Sequence, residues 1–511
     1  MLFKKILRAI TSRYFISLAF IGIELFLLFW LQSYLNDYLF AFYVLSYIIS
    51  VLTLLFIINS KTIPETKMPW MIIILVFQPF GALLYIILGR RLITIKEKKF
   101  LKRLKQDRKN LFDVDDTVLD TLKDIDNEAY QKAKSLSHDS FNSLCDHTIG
   151  KYYKCGEDFF FQFIKELSNA KKYIFMEYFI VEEGYMWEEI LNVLKVKVSE
   201  GVEVRFLYDD IGCLLTLPVN YFKRLRSYGI KANCFAKFNG RANSSHNNRS
   251  HRKITIIDGL IAYTGGINLA DEYINKNDRL GYWKDSIIEI RGKGVNELIK
   301  TYLFDWDLND GNISNIDDYL NNDVLLENDG YYLPFGTGPR PIYIPNIAGN
   351  TYLNLINQAK NYIYITTPYL IIDNELTNAL INAAKRGVEV IIITPHIPDK
   401  KIVYALTKNS YTTLINNGVK IYEFKPGFIH AKNFICDDLY AVCGTINFDY
   451  RSLIHHYENA IWMYKTSVIK DMKQDFLETL DVSIIQTNET AYQNGITRLF
   501  IGILKVFSPF F

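Results

Sequence analysis

Cysteine is scarce in this chain. Six of 511 residues are Cys, at positions 145, 155, 213, 234, 436 and 443, and none forms a CxxC pair or a zinc-type Cys/His spacing. Free thiols in a reducing compartment follow, without a structural zinc site. A surplus of one charge is also missing. Lys and Arg number 58 against 55 Asp and Glu, a net charge of +3, which excludes a globally basic nucleic-acid binder. Hydrophobic residues make up 49% of the chain, which excludes disorder. No metal-ligand or nucleotide-cofactor motif is present, so the expectation is no metal and no cofactor. At this length the chain holds two or three domains.

Apolar sequence is concentrated at the N-terminus. Residues 14–35 are nearly continuous apolar sequence, broken by Glu24, and residues 39–58 form a second run. Each is long enough to cross a hydrocarbon core of about 30 Å as a helix. No small-residue cleavage site follows the first, so it is not read as a signal peptide. Lys4, Lys5, Arg8 and Arg13 place the N-terminus inside, and two crossings return the chain to Lys61 and Lys67. A third apolar run, residues 69–88, is followed by Arg90, Arg91, Lys96, Lys98 and Lys99, which also belong inside. A re-entrant segment bent at Pro79 and Gly81 satisfies both ends. The alternative is a third full span with an external N-terminus. Residues 1–10 are compatible with a basic amphipathic helix or with a plain topogenic charge cluster, and residues 94–110 read as a solvated basic helix near lipid headgroups.

The rest of the chain runs twice through one plan. Ala170-Lys171-Lys172-Tyr173-Ile174-Phe175 is echoed by Ala359-Lys360-Asn361-Tyr362-Ile363-Tyr364, Gly201-Val202-Glu203-Val204 by Gly387-Val388-Glu389-Val390, and Gly229-Ile230-Lys231 by Gly418-Val419-Lys420. Helix-like runs at 186–199 and 375–386 sit at equivalent places. Alternating strands and helices predict an α/β sandwich in each half, with helices covering a mixed sheet. Each half then reaches a His-x-Lys-x4-Asp pattern: His251, Lys253, Asp258 and His430, Lys432, Asp437. Glycine turns with an Asn follow, ending at Asn268 and Asn447. In a strand, residues i and i+2 share a face, so each His lies beside its Lys. An imidazole beside an ammonium suits a phosphate, which the Lys holds while the imidazole attacks phosphorus or moves a proton. Asp285 and Glu458 stand at equivalent places farther on, each opening an apolar strand. His455 and His456 lack a Lys two residues on and rank as structural or interfacial. Residues 238–250 read as a mobile loop near the site.

The double pattern resembles the phospholipase D superfamily. The block Gly265 to Tyr273 with Trp283-Lys284-Asp285, the block Gly444 to Ser452, and the stretches Lys67-Met68-Pro69-Trp70 and Pro79-Phe80-Gly81 resemble bacterial cardiolipin synthases more narrowly. Thr445-Ile446 departs from the Ser-Ala often found there, without touching a His, Lys or carboxylate position.

The resemblance implies two pseudo-symmetric phospholipase D-like α/β/α halves sharing one active site, plus an N-terminal helical membrane anchor. The expected domains are the anchor at 1–92, a basic and polar connector at 93–150, the first half at 151–310, a linker at 311–349, the second half at 350–490 and a membrane-contacting tail at 491–511. The implied activity is phosphatidyl transfer between two phosphatidylglycerol molecules through a phosphohistidine, giving cardiolipin and glycerol. His251, Lys253, Asp258, His430, Lys432 and Asp437 would be catalytic, Asn268 and Asn447 would bind phosphate, and Asp285 and Glu458 would orient the imidazoles. The expected setting is a multi-pass cell-membrane protein with a cytoplasmic catalytic region and no nucleic-acid partner. The alternatives are a phospholipase D hydrolase, a transferase with another donor or acceptor, and a non-enzymatic membrane scaffold. The sequence sets no oligomeric state.

Overall fold

The repeated plan folds into two mixed sheets of matching topology. The structure is a computed structural model describing residues 22–23, 26–27, 30, 38–89, 98–103, 114–237, 248–321, 326–340, 342–491 and 495–510. The first half contributes β1 (Thr148–Tyr153), β2 (Tyr173–Tyr178), β3 (Glu203–Asp209), β4 (Lys231–Phe235), β5 (Ile254–Ile257), β6 (Ile261–Gly265), β7 (Tyr282–Lys284) and β8 (Ile287–Gly292). Its sheet runs β1-β8-β6-β5-β2-β3-β4. β2, β3 and β4 are parallel, and β5, β6, β8 and β1 add antiparallel.

The second half contributes β9 (Tyr331–Thr337), β10 (Tyr362–Thr366), β11 (Leu370–Ile371), β12 (Glu389–Pro395), β13 (Lys420–Phe424), β14 (Gly427–Ile429), β15 (Asn433–Cys436), β16 (Tyr440–Gly444), β17 (Phe448–Asp449), β18 (Glu458–Tyr464) and β19 (Ser483–Ile485). Its sheet runs β19-β13-β12-β10-β15-β16-β18-β9, the same plan with one extra edge strand. Every residue of β2 and of β10 is buried, because helices cover the sheets. The helices fall where the apolar spacing puts them, at Tyr185–Ser199 and Asn374–Lys385. The first buries Met186, Trp187, Ile190, Leu191 and Leu194 along one stripe. The second starts at Asp373, whose side chain accepts the Leu376 N–H.

Two expected boundaries move. Part of the region read as a connector belongs to the folded catalytic unit. Helices Thr117–Ile125 and Asn127–Ser140 bury Leu119, Leu122, Ala129, Ala133 and Leu136 in its core. Asp126 caps the second of them and also accepts the Tyr464 hydroxyl at 2.6 Å. The region read as a linker contains β9, fully buried and paired along its length with β18. Its Asn, Asp and Gly flanks hide one apolar strand.

Asp258 and Asp437 are corrected more sharply. They stand at the far ends of β5 and β15 from the histidines. Asp258 accepts the N–H groups of Lys171, Lys172 and Tyr173 at 2.7–2.8 Å. Asp437 accepts those of Lys360, Asn361 and Tyr362 at 2.7–2.9 Å. Each ties the turn after its motif strand to the start of the neighbouring antiparallel strand. Both carboxylates are engaged in holding the sheet together, at the ends of the strands away from the histidines.

The N-terminal helices form a unit of their own. Within helix Leu39–Asn59, the stretch Phe40–Asn59 is long and apolar enough to cross a membrane, with mean hydropathy 2.5. The third apolar run is broken. Helix Pro64–Val76 stops at Phe77, and Phe80–Leu84 begins after a turn and continues into Tyr85–Gly89. Gly81 permits the close return, since a Cβ there would meet Ile73 O at 2.4 Å and the Ile74 Cα at 2.7 Å. Ile57, Ile74, Ala82 and Tyr85 form the small core of this unit. The tail contains helix Gly495–Val506, on which Leu499, Phe500 and Ile503 are exposed, and the turn Ser508–Phe510 lies against helix Pro64–Val76. The basic N-terminus at 1–10, most of the first apolar run at 14–35, most of the stretch 94–110 and most of the loop 238–250 lie outside the described residues.

Candidate active site

The two halves meet through short parallel strand contacts, one for each histidine. His251 N–H donates to Tyr457 O at 2.8 Å, and Tyr457 N–H donates to Arg249 O at 2.9 Å. The mirror contact pairs β14 with β7, and His430 N–H donates to Lys284 O at 2.7 Å. Each histidine is therefore pinned beside the opposite half's carboxylate. The side chains complete the crossing. His251 Nδ1 lies 2.9 Å from Glu458 Oε2, and His430 Nδ1 lies 2.7 Å from Asp285 Oδ2. Both carboxylates are fully buried. A carboxylate at Nδ1 fixes the Nε2 lone pair as the free, reactive one.

The lysines stand just before the motif strands, two residues after the histidines. Lys253 donates to His251 O at 2.8 Å, and Lys432 donates to His430 O. Each ammonium keeps further N–H groups for a phosphate. Both asparagines are buried as well. Asn268 is held by the Ile180 N–H and the Tyr273 hydroxyl, whereas Asn447 Oδ1 has no hydrogen-bond partner.

Burial dominates the electrostatics. It pushes Lys253 down to about 7 against the pull of Glu458, and Lys432 down to about 8 against Asp285 and Glu458. Burial, then the Lys432 ammonium, holds His430 at about 4 although Asp285 pulls upward. Burial with Lys253 and Lys432 holds His251 well below the usual imidazole range. Both imidazoles are thus neutral at pH 7, as a nucleophile must be. Burial raises Asp285, but His430 and Lys432 outweigh it and leave the carboxyl below its ordinary range.

The structure also assembles residues that the sequence reading passed over. Arg249, read as part of a mobile loop, is buried and bidentate on Asp209, whose carboxylate also accepts the Ser250 N–H. Ser250 donates its hydroxyl to Glu177. Arg252, between His251 and Lys253, is fully buried on Asp305 at 2.6 Å and donates to Glu458 O. The signal was present in the sequence: Glu177 interrupts an apolar strand, and Asp209 ends one. Around His430 stand Tyr273, Trp283 and Phe428, with ring centroids 5.6–5.9 Å away. Around His251 stand Phe179 at 4.9 Å and His456 at 5.5 Å. His456, ranked above as structural, thus lies in the site. Together His251, His456 and Glu458 offer three donor atoms within 4.8 Å of one another. Of the three, His251 and Glu458 already bond to each other, while His456 Nδ1 stands 3.7 Å from Glu458 Oε1 without a bond.

Comparison with known proteins fits this geometry. The family described as "Cardiolipin synthase, PLD-like domain" matches residues 163–299 and 352–480, and "Phospholipase_D-nuclease N-terminal" matches 48–90. A protein of Streptococcus mutans serotype c described as uncharacterized is 41% identical over 458 residues, 89% of this chain and 99% of that one. A cardiolipin synthase of Staphylococcus aureus strain Mu50 is 33% identical over 461 residues, 86% of this chain and 90% of that one. Among solved structures, phosphatidylserine synthase from Haemophilus influenzae superposes with a TM-score of 0.56 at 15% identity, covering 74% of this chain and 98% of that one. At that identity the likeness is one of fold.

Proposed function

This chain belongs to the phospholipase D-like cardiolipin synthase family, and from that premise we propose that it moves a phosphatidyl group from one phosphatidylglycerol to the terminal hydroxyl of another. His251 Nε2 attacks phosphorus, and the bond from phosphorus to the headgroup glycerol breaks. His430, protonated in the complex and stabilised by Asp285, gives its proton to the leaving glycerol. It then takes the proton of the second lipid's terminal hydroxyl, whose oxygen attacks phosphorus and breaks the P–N bond. Cardiolipin forms and His251 is restored. Lys253, Lys432, Asn268 and Asn447 hold the phosphate oxygens as charge develops.

The observation that carries this reading is the crossed pairing, because each half supplies the carboxylate for the other half's histidine. One centre with two non-equivalent imidazoles is what a two-step transfer needs. The environments favour the assignment of roles. Asp285 serves His430 and one backbone N–H, which suits a proton carrier, while burial with Lys253 and Lys432 keeps His251 neutral. Product analysis on purified enzyme tests the function. Phosphatidylglycerol alone should give cardiolipin and glycerol in equal amounts. Phosphatidic acid as the main product would favour the hydrolase, and product only on adding a second donor lipid would favour another transferase.

The membrane setting follows the same reading. Both the N-terminus and the catalytic region would face the cytoplasm, with residues 36–38 outside and the broken third segment re-entrant. The apolar face of the tail, with Leu499, Phe500 and Ile503 exposed, would lie on that surface. Single cysteines introduced at Lys99 and Lys505 should then react with a membrane-impermeant reagent only in inside-out vesicles. Labelling from outside intact cells would contradict this topology.

A further inference from the structure

The pseudo-symmetry of the site fails at one pair of positions. Trp283 and His456 each stand two residues before the carboxylate that serves the opposite half's histidine. Each packs against that histidine, with centroids at 5.6 Å for Trp283 and 5.5 Å for His456. One histidine has an indole wall, the other a third imidazole. His456 is 8% exposed, and its Nδ1 has no hydrogen-bond partner. That atom lies 3.7 Å from Glu458 Oε1, which also has none. Glu458 Oε2 meanwhile takes both His251 Nδ1 and the Thr445 hydroxyl. Asp285 shows no such gap, since its oxygens meet the Ser286 N–H and His430. A buried nitrogen and a buried carboxylate oxygen, both without partners and just beyond bonding distance, are one small movement from a bond.

We propose that His456 is a positioning residue for the nucleophile, closing its Nδ1–H onto Glu458 Oε1 as the phosphohistidine forms. As the P–N bond forms at His251 Nε2, positive charge builds on that ring and draws Glu458 toward it. The donated bond from His456 keeps Glu458 anionic and oriented while the lipid is covalently held. Burial pushes His456 down to about 3, although Glu458 pulls upward, so it acts as a neutral donor and not as another acid. Glu458 also feels Lys253 from the first half, and Lys432, Asp449 and Tyr352 from the second; Arg451 bears on His456. None of these is seen to donate to Oε1, the atom left without a partner.

The inference rests on His251 being the nucleophile. The test measures kcat/KM between pH 4 and 8, together with the rate of phosphoenzyme formation, for wild type, His456→Phe, His456→Gln and Trp283→Phe. Removing the donor withdraws a hydrogen bond that favours a charged carboxylate. His456→Phe should therefore move the acid limb upward by about one pH unit and slow adduct formation about tenfold. His456→Gln keeps an N–H and should restore the limb. Trp283→Phe should leave it in place. If Phe does not fold at position 456, His456→Leu gives the same reading. A uniform loss at every pH, or no rescue by Gln, overturns the proposal. Wild-type adduct absent from His251 would instead overturn the nucleophile assignment, whatever the position 456 variants do.

Discussion

His251→Ala should form no covalent lipid adduct and should turn over about 10⁴-fold more slowly than wild type, while remaining folded. Nothing else stands in its place. Lys253 bonds to the His251 carbonyl, and Nδ1 of His456 is turned to Glu458. The substitution removes two ring contacts, with Phe179 and His456, and one carboxylate bond, all inside a rim stitched by backbone bonds that do not depend on the side chain. His430→Ala should behave differently. Adduct formation should slow by about 10²- to 10⁴-fold for want of the acid. Whatever adduct forms should persist, because the same residue must activate the acceptor hydroxyl. Rapid quenching with labelled lipid, followed by alkaline separation, distinguishes the two, since a phosphoramidate is acid-labile. Normal turnover by His251→Ala would refute the mechanism.

Asp285→Asn should cost about 10³- to 10⁴-fold, comparable to the loss when the carboxylate of a Ser-His-Asp triad becomes an amide. Asp285 is buried and its bond to His430 is 2.7 Å, so the amide removes the charge that supports the imidazolium. The crossed geometry makes a sharper claim about which step suffers. Asp285→Asn should damage the proton transfers of His430 and leave a slowly resolving adduct. Glu458→Gln should damage adduct formation at His251. In a double-mutant cycle, Asp285→Asn should add almost nothing to His430→Ala. Coupling of Asp285 to His251, its own half's histidine, would show that the carboxylates act within their halves.

Much of this site can be read from the residues, for reasons that also mark where the reading stops. The two sheets follow the repeat because their strands are apolar and begin at equivalent turns, as at Tyr173 and Tyr362. His251, Lys253, His430 and Lys432 follow from the repeated His-x-Lys pattern. Asp285 and Glu458 stand at matching places, but chain order does not say how two halves face each other, so the exchange of carboxylates is visible only in space. Strand arithmetic sets Asp258 and Asp437 apart from the histidines. Seven residues of strand span about 23 Å, too far for one side chain to share the histidine's phosphate. β9 and the helices at 117–140 were missed because polar flanks outweighed short apolar stretches. His456 was passed over because it lacks a lysine two residues on, whereas its importance comes from Glu458 and from packing on His251.

The central claim is that one lipid is held covalently on His251 and handed to a second lipid. Adduct trapped from phosphatidylglycerol labelled in its diacylglycerol part, then freed of excess donor and chased with unlabelled phosphatidylglycerol, measures this directly. The account predicts that label leaves His251 and appears in cardiolipin at the rate of turnover, with the headgroup glycerol already released before the chase. Label that stays on the protein, leaves only as phosphatidic acid, or maps to a residue other than His251 would contradict it.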